Sequence, residues 1–324
     1  MREILLSECV EILQRFNFMV SQTFGRSCFD ILARKGNRKY LIKVLKNIDS
    51  LSYEQSRELL KLSRILGATP LIIGMRTRNL PMEDGVVYER HNIKAVTLRT
   101  FEAYLEGEPP IVYAGRGGFF VNIDGETLRT VREKLNISVG ELAEYCNVSR
   151  KMIYKYEQNL ANPTIDVALK IEEYLDTPLI RGISLEAGEG EIGDIEVEGY
   201  RERGRARRER DFKLYVLSIF KQLGFNTTEV KRAPFDAVVE KEDVKIEEYN
   251  LCSLVLTGIE ERETEETRQK MLIVSKLSSV LNSGSLLVLE KENSSSIDYV
   301  KTINVRELER MEDASDLLEY IASK

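Results

Sequence analysis

The stretch that most limits what this chain can fold into runs from Gly140 to Thr164, "GELAEYCNVSRKMIYKYEQNLANPT". It starts as an amphipathic helix, breaks at Cys146-Asn147-Val148, restarts at Ser149 and stops near Asn159. A three-residue break leaves room only for a sharp turn. Asn147 stands where that turn must be made, and Asn tolerates the left-handed backbone better than any residue except Gly. Ser138 and Ser149 precede the two helices, where a hydroxyl accepts a bond from an unpaired N–H of the first turn. Leu142 and Ala143 form the buried side of the first helix, and Val148 fills the crevice between the two. Ile153, Tyr156 and Glu157 point the second helix back to the core. This leaves Arg150, Lys151, Tyr154 and Lys155 on its outer face. Asn159 serves as a left-handed C-terminal residue. Before this stretch, "GETLRTVREKL" places Leu128, Val131, Arg132 and Leu135 at helical spacing. After it, Pro163-Thr164 opens a further helix, "IDVALKIEEYL". Two short helices across a tight turn present the second as a projecting rod. Such a rod fits the major groove of DNA, where base edges differ.

The segment from Leu128 to Thr164 resembles the helix-turn-helix of the lambda-repressor/Cro-like family, also called XRE. The residues carrying the likeness are Arg132, Ser138, Leu142-Ala143, Val148-Ser149, Ile153, Tyr156-Glu157 and Pro163. The sequence departs from the family at Val139, where Gln often contacts a phosphate, and at Asn147 and Asn159, which replace usual Gly positions. The resemblance implies a DNA interface built from Ser138, Ser149, Arg150, Lys151, Tyr154, Lys155 and Asn159. It also implies double-stranded DNA with a palindromic operator as the partner, and a homodimer to bind it.

Either side of this segment the chain looks like two copies of one pattern. A helix comes first ("ECVEILQRFNF", "FKLYVLSIFKQLGF"), then a strand read as ending in Phe-Asp ("CFDILARK", "PFDAVVEK"), then a further strand ("YLIKVLKN", "VKIEEYNL"). A long helix and an apolar strand follow ("PLIIGM", "SLLVLE"). In the closing blocks Lys94, Val96, Leu98, Arg99 and Phe101 answer to Lys301, Ile303, Val305, Arg306 and Leu308. This order predicts an α/β sheet flanked by helices. Asp30 followed by Lys43 makes the first copy resemble the PD-(D/E)XK nuclease-like fold. In metal-dependent nucleases an Asp and a Glu hold Mg²⁺ beside a Lys. Here Leu41 stands in the Glu place. The other copy has Asp236, with Lys245 and Glu247 assigned to the matching places. Neither copy keeps the full set, so both are expected to be inactive, with Asp30 and Asp236 as turn or strand-end residues. An active variant would need a relocated ligand such as Glu8 or Glu11. The basic residues Arg34, Lys35, Arg38, Lys39, Lys43 and Lys46 are candidates to grip a DNA backbone.

The expected architecture is thus α/β plus all-α: two duplicated restriction-endonuclease-like domains around a repressor-like helical bundle. The domains are 1–118, 119–185 and 211–324, with a charged linker at 186–210. "GEPPIVYAGRGGFFV" reads as a linker, and "IGDIEVEGY" as a hairpin within the acidic stretch. "RERGRARRER" is either a phosphate-tracking arm or a solvated tether. Net charge is −6, distributed as +5 over 1–120, −4 over 121–210 and −7 over 211–324. The helix-turn-helix segment, 121–181, carries 8 Lys/Arg against 10 Asp/Glu, so charge alone does not draw it to DNA. Cys9, Cys28, Cys146 and Cys252 form no CxxC pair and read as buried thiols of a reducing cytoplasm. No stretch approaches a membrane span, the start is not a signal peptide, and His91 belongs in a surface loop. No catalytic set, metal site or cofactor is expected. The function expected is a cytoplasmic, sequence-specific transcriptional regulator resembling archaeal helix-turn-helix regulators of this length. The alternatives are a Mg²⁺-dependent nuclease targeted by its helix-turn-helix, and a protein-interaction scaffold.

Overall fold

The computed structural model describes all residues except 24, 26, 187–204, 242–253, 292–296, 298–299 and 323–324, and also leaves aside the side chains of 205–209. In chain order the elements begin with α1 (Arg2–Arg15), β1 (Met19–Gln22), β2 (Ile31–Lys35), β3 (Arg38–Asn47) and a 3₁₀ turn (Ile48–Ser50). There follow α2 (Tyr53–Leu66), β4 (Thr69–Arg76), β5 (Val86–Arg90), β6 (Ile93–Val96), α3 (Leu98–Glu106), β7 (Val112–Gly115) and β8 (Gly118–Ile123). The helical middle holds α4 (Gly125–Lys134), α5 (Val139–Tyr145), α6 (Arg150–Glu157), α7 (Ile165–Leu175) and the short β9 (Ile180–Arg181). The last part holds α8 (Arg205–Gln222), β10 (Asn226–Glu229), β11 (Ala237–Glu240), β12 (Leu254–Glu260) and α9 (Glu265–Leu281). It closes with β13 (Gly284–Leu289), β14 (Lys301–Asn304), α10 (Val305–Leu308) and α11 (Ala314–Ala322). Among the described residues no helix is long and apolar enough to cross a membrane.

The chain divides into two compact units. The first comprises Met1–Leu5, Val44–Leu51 and Leu71–Glu191. The second comprises Leu6–Lys43, Ser52–Pro70 and Ile192–Lys324.

In the first unit β4 pairs with β6 in parallel, and β5 returns antiparallel beside β6. The β5–β6 turn is His91-Asn92, both with positive φ (52° and 62°). Two such residues give the turn whose twist matches the flanking strands. β7 then joins β5 in parallel, β8 folds back on β7, and β9 pairs with β8. The segment expected to be a linker, "GEPPIVYAGRGGFFV", is therefore mostly a hairpin continuous with the sheet. Its turn is Arg116-Gly117, and Gly117 and the first β8 residue, Gly118, have φ of 96° and 147°, which only glycine adopts freely.

In the second unit β1, β2 and β3 pair antiparallel. A separate five-stranded sheet has the order β10-β11-β12-β13-β14. Its first three strands are antiparallel, and β13 and β14 continue in parallel. Phe220, Phe225, Val239, Val255, Leu286 and Leu308 lie in the core between that sheet and its helices. The strand facing β11 on one side is β12, with Ala237 opposite Thr257; the "VKIEEYNL" stretch is the one matched to "YLIKVLKN" from sequence. That stretch, with Lys245 and Glu247, lies outside the described residues, as do Cys252, the "IGDIEVEGY" hairpin and residues 201–204. Helix α8 starts at Arg205, inside the stretch read as a charged linker, so the apolar helix extends back into the arginine run.

Candidate nucleic-acid interface

Helices α4 to α7 pack around Leu128, Leu142, Ala143, Cys146, Ile153, Tyr156, Ala168 and Ile171. Val121 and Ile123 of β8 enter the same core, so the bundle is built onto the sheet. The Val121 N–H donates to the Pro163 carbonyl at 3.0 Å, and the Asp124 N–H to the Leu179 carbonyl at 2.9 Å. Each helix has a local reason to start where it does. Asp124 accepts from the Thr127 N–H at 3.0 Å, Ser138 from Glu141 N–H at 3.0 Å, and Ser149 from Met152 N–H at 3.3 Å. α7 begins after Thr164, whose side chain makes no capping bond. Asn147 turns the chain between α5 and α6 with φ of 54°.

The buried face of α6 is Ile153, Tyr156 and Glu157. Arg132 on α4 donates to the Glu157 carboxylate at 2.5 Å and to the Ile137 carbonyl at 2.9 Å. This buried pair ties α4, the α4–α5 turn and α6 together. Leu135, at helical spacing with Leu128 and Arg132, is half exposed and lies just past the end of α4 at Lys134.

The residues expected at the interface separate into three kinds. Arg150, Lys151 and Tyr154 stand exposed on the outer face of α6, and Lys155 is only partly exposed. Arg150 leans over α5: a Cβ built on Gly140 would lie 2.9 Å from its Nε. Gly140 thus makes room for the guanidinium. Ser138 and Ser149 are exposed, but both hydroxyls cap helices. Asn159 is left-handed with φ of 55°. Its side-chain oxygen accepts from the Gly125 N–H at 3.1 Å. Its amide oxygen therefore fastens α6 to the start of α4, and a contact through that oxygen is not open to DNA.

Sequence reasoning missed three fastenings. Glu172 of α7 accepts from the Leu179 and Ile180 N–H groups at 2.5 and 2.7 Å. Tyr145 packs on Tyr174, their ring centroids 4.4 Å apart, and Tyr174 donates to Glu141. Asp124 binds Arg181 as well as Thr127. The hydrogen bonds from Thr127, with Arg181 beside them, hold the Asp124 carboxyl down at about 2. Of these only Asp124, as a cap ahead of a helix, had a signal in the sequence.

The nuclease-like positions are arranged differently. Asp30 and Lys43 are buried and paired, Nζ to Oδ1 at 3.1 Å. Lys43 also donates to the Ser27 carbonyl at 2.7 Å. Leu41 is fully buried in the Glu place. Burial removes Lys43 from the residues expected to grip a DNA backbone. Lys39 donates to the Leu66 carbonyl and Arg34 to the Gly36 and Val280 carbonyls, so both are partly committed to the fold. In the five-stranded sheet Leu256 lies opposite Val238 as Leu41 lies opposite Leu32, and Gly258 follows Thr257, the partner of Ala237, as Lys43 follows Ile42, the partner of Ile31. Asp236 pairs instead with Lys213 of α8 and accepts from the Ile259 N–H at 2.9 Å.

A four-helix bundle with a left-handed turn before an exposed α6, joined to an α/β sheet domain, defines a helix-turn-helix protein that also carries a nuclease-related domain. Comparison with known families agrees: residues 128–180 match a helix-turn-helix family, and residues 2–110 match a PD-(D/E)XK superfamily domain. A protein of Methanococcus maripaludis strain C6 is 54% identical over 325 residues, which is 100% of this chain and 98% of the relative. One of Methanocaldococcus jannaschii is 52% identical over 323 residues, covering 100% and 97%. One of Pyrococcus abyssi is 35% identical over 322 residues, covering 99% and 97%. All three are provisionally named HTH-type transcriptional regulatory proteins. This chain belongs to that archaeal family of helix-turn-helix transcriptional regulators.

Proposed function

We propose that the protein is a cytoplasmic regulator that binds a specific double-stranded operator as a homodimer, reading it with α6. The observation that carries this reading is the outer face of α6. Arg150, Lys151 and Tyr154 are exposed side by side, with Lys155 at their edge, while the opposite face is fixed by Ile153, Tyr156 and the Arg132–Glu157 pair. A fixed helix with cations at its first turn suits phosphate contact, and its projecting side chains suit base edges. The palindrome and the dimer follow from how such modules read two half-sites one helical turn apart.

The test is selection of an operator from random duplex DNA, followed by binding of the double variant Arg150→Ala, Lys155→Ala. Specific binding is expected to be lost, with the bundle still folded by circular dichroism. Unchanged affinity for the selected operator would sink the reading.

The domain division at 118, 185 and 210 and the origin of the outer domains by duplication belong to the same proposal. In support, α1 to α3 and α8 to α10 present nearly the same element order among the described residues, where the first part has one extra strand, β5. The Asp30 N–H donates to the Ile42 carbonyl at 2.8 Å, and the Asp236 N–H donates to the Thr257 carbonyl at 2.8 Å. Thr97 caps α3 as Asn304 caps α10. Regulation without catalysis is the reading favoured here. The Asp30 carboxylate is neutralised by Lys43 and has Leu41 where a second carboxylate would have to stand, a poor donor set for a hard dication.

A further inference from the structure

The Asp30–Lys43 pair has a place in the fold that its chemistry does not explain. Buried ion pairs cost desolvation and are weak contributors to stability by themselves. Lys43 reaches past Asp30 to the Ser27 carbonyl, so one ammonium holds both ends of the short turn from Ser27 to Asp30. Thr23 closes the turn from the other side, its hydroxyl donating to the Phe29 carbonyl at 2.6 Å. What this turn presents outward is two donors. The Cys28 N–H donates to the Arg232 carbonyl at 2.7 Å, and the Ser27 hydroxyl to the same carbonyl at 3.3 Å. Arg232 lies some 200 residues on in sequence, in the loop between β10 and β11, and within the same compact unit.

The loop is gripped on its other side by α2. Arg232 pairs with Glu54, the Lys231 N–H donates to Glu58 at 3.1 Å, and Lys61 donates to the Glu229 carbonyl. α9 packs against β1 and β2, and Arg34 donates to its Val280 carbonyl. The contact is thus made from both ends of the loop and is largely polar along its rim. At its centre Cys28 is fully buried, and its thiol is pushed up to about 12 by that burial, with the Glu58 charge adding to it.

We infer that the nuclease-like site of the first α/β domain serves as a socket for the chain's own C-terminal domain: Lys43 and Asp30 position the Ser27–Asp30 turn, and that turn captures the Arg232 carbonyl. Lys43 is then a positioning residue and not a catalytic one. This inference does not depend on DNA binding by α6.

Hydrogen exchange of the full-length chain tests it. In Lys43→Met the turn loses its brace. Exchange is expected to rise about tenfold in residues 229–234, which Lys43 does not touch, together with residues 27–30, and to stay unchanged over 128–180. A rise confined to residues 27–43 would overturn the inference, as would Mg²⁺-dependent DNA cleavage by the wild type that this variant loses. Removing Lys43 leaves a buried carboxylate and risks the fold, so a second pair of variants is needed. Arg232→Glu sets a carboxylate against Glu54 at an exposed rim and is expected to speed exchange of the Cys28 amide about tenfold. Adding Glu54→Arg is expected to restore protection. If Arg232→Glu leaves the Cys28 amide as protected as in the wild type, the socket is not what holds the loop.

Discussion

At the scale of single residues, Gly140 separates stability from binding. A glycine inside a helix costs about 0.5–1 kcal/mol relative to Ala. Gly140→Ala would recover that, yet its methyl must displace the Arg150 guanidinium, the far end of a flexible side chain. The variant is expected to be equally or slightly more stable in urea unfolding and to bind operator more weakly. A parallel loss in both would show that Arg150 is not placed by the gap. Asp124 gives a pH signature. Its carboxyl is held at about 2, below its ordinary 3.8, first by the Thr127 hydroxyl and amide and then by Arg181. A depressed acid stabilises the fold fully above about pH 4, because the unfolded chain takes up the proton first. That contribution is lost as the pH falls from about 4 toward 2. Asp124→Asn should therefore lower the melting temperature at pH 7, with the gap to the wild type closing at pH 2. A gap that persists at pH 2 would assign the effect to packing.

At the scale of elements, the Arg132–Glu157 pair decides whether α6 stays pointed. Its two side chains are 10% and 5% exposed. Removing one partner strands a buried charge, at about 3–5 kcal/mol. Arg132→Met should lower the unfolding free energy by about 3 kcal/mol, and a change under about 1 kcal/mol would mean that Ile153 and Tyr156 hold the helix unaided. These helices were legible in the sequence because everything that makes them is local: three-to-four spacing, a Ser or Asp ahead, an Asn behind. The sheets were less so. "GEPPIVYAGRGGFFV" was read as a tether because Gly and Pro mark loose chain and tight hairpins alike, and only its pairing with β5 separates the two. The strand that pairs with β11 was not identified from sequence, because β2 and β3 are joined by a tight turn, whereas β11 and β12 are much farther apart along the chain. Spacing alone then fixes no register. At the site, Arg150 and Lys151 were expected on the outer face of α6 from their spacing, and both are exposed there. The bond from Gly125 to Asn159 was not expected, since it joins residues far apart in sequence whose types have no shared pattern.

At the scale of the whole molecule, charge is divided along the chain, with its basic excess before residue 121 and its acidic excess from there on, most of it after residue 210. The α6 segment itself is slightly acidic, so affinity for DNA is expected to come from a few placed cations and its salt dependence to be shallow, about 0.9 in log–log slope per phosphate contact. Removing one phosphate contact lowers the slope of log affinity against log salt by about 1. Lys151→Ala is expected to do this while leaving operator preference intact, and a shifted preference at an unchanged slope would make Lys151 a base reader. The mounting of α6 has another consequence. Its bundle is seated on β8 and β9, which continue a hydrogen-bonded sheet through β7 and β5, and no swivel intervenes. A reading head on a flexible stalk can follow half-sites that drift around the duplex as their spacing changes. One fixed to a girder cannot. For a pair of such heads, the torsional work of matching an off-phase operator falls on the DNA, and phasing becomes part of the address.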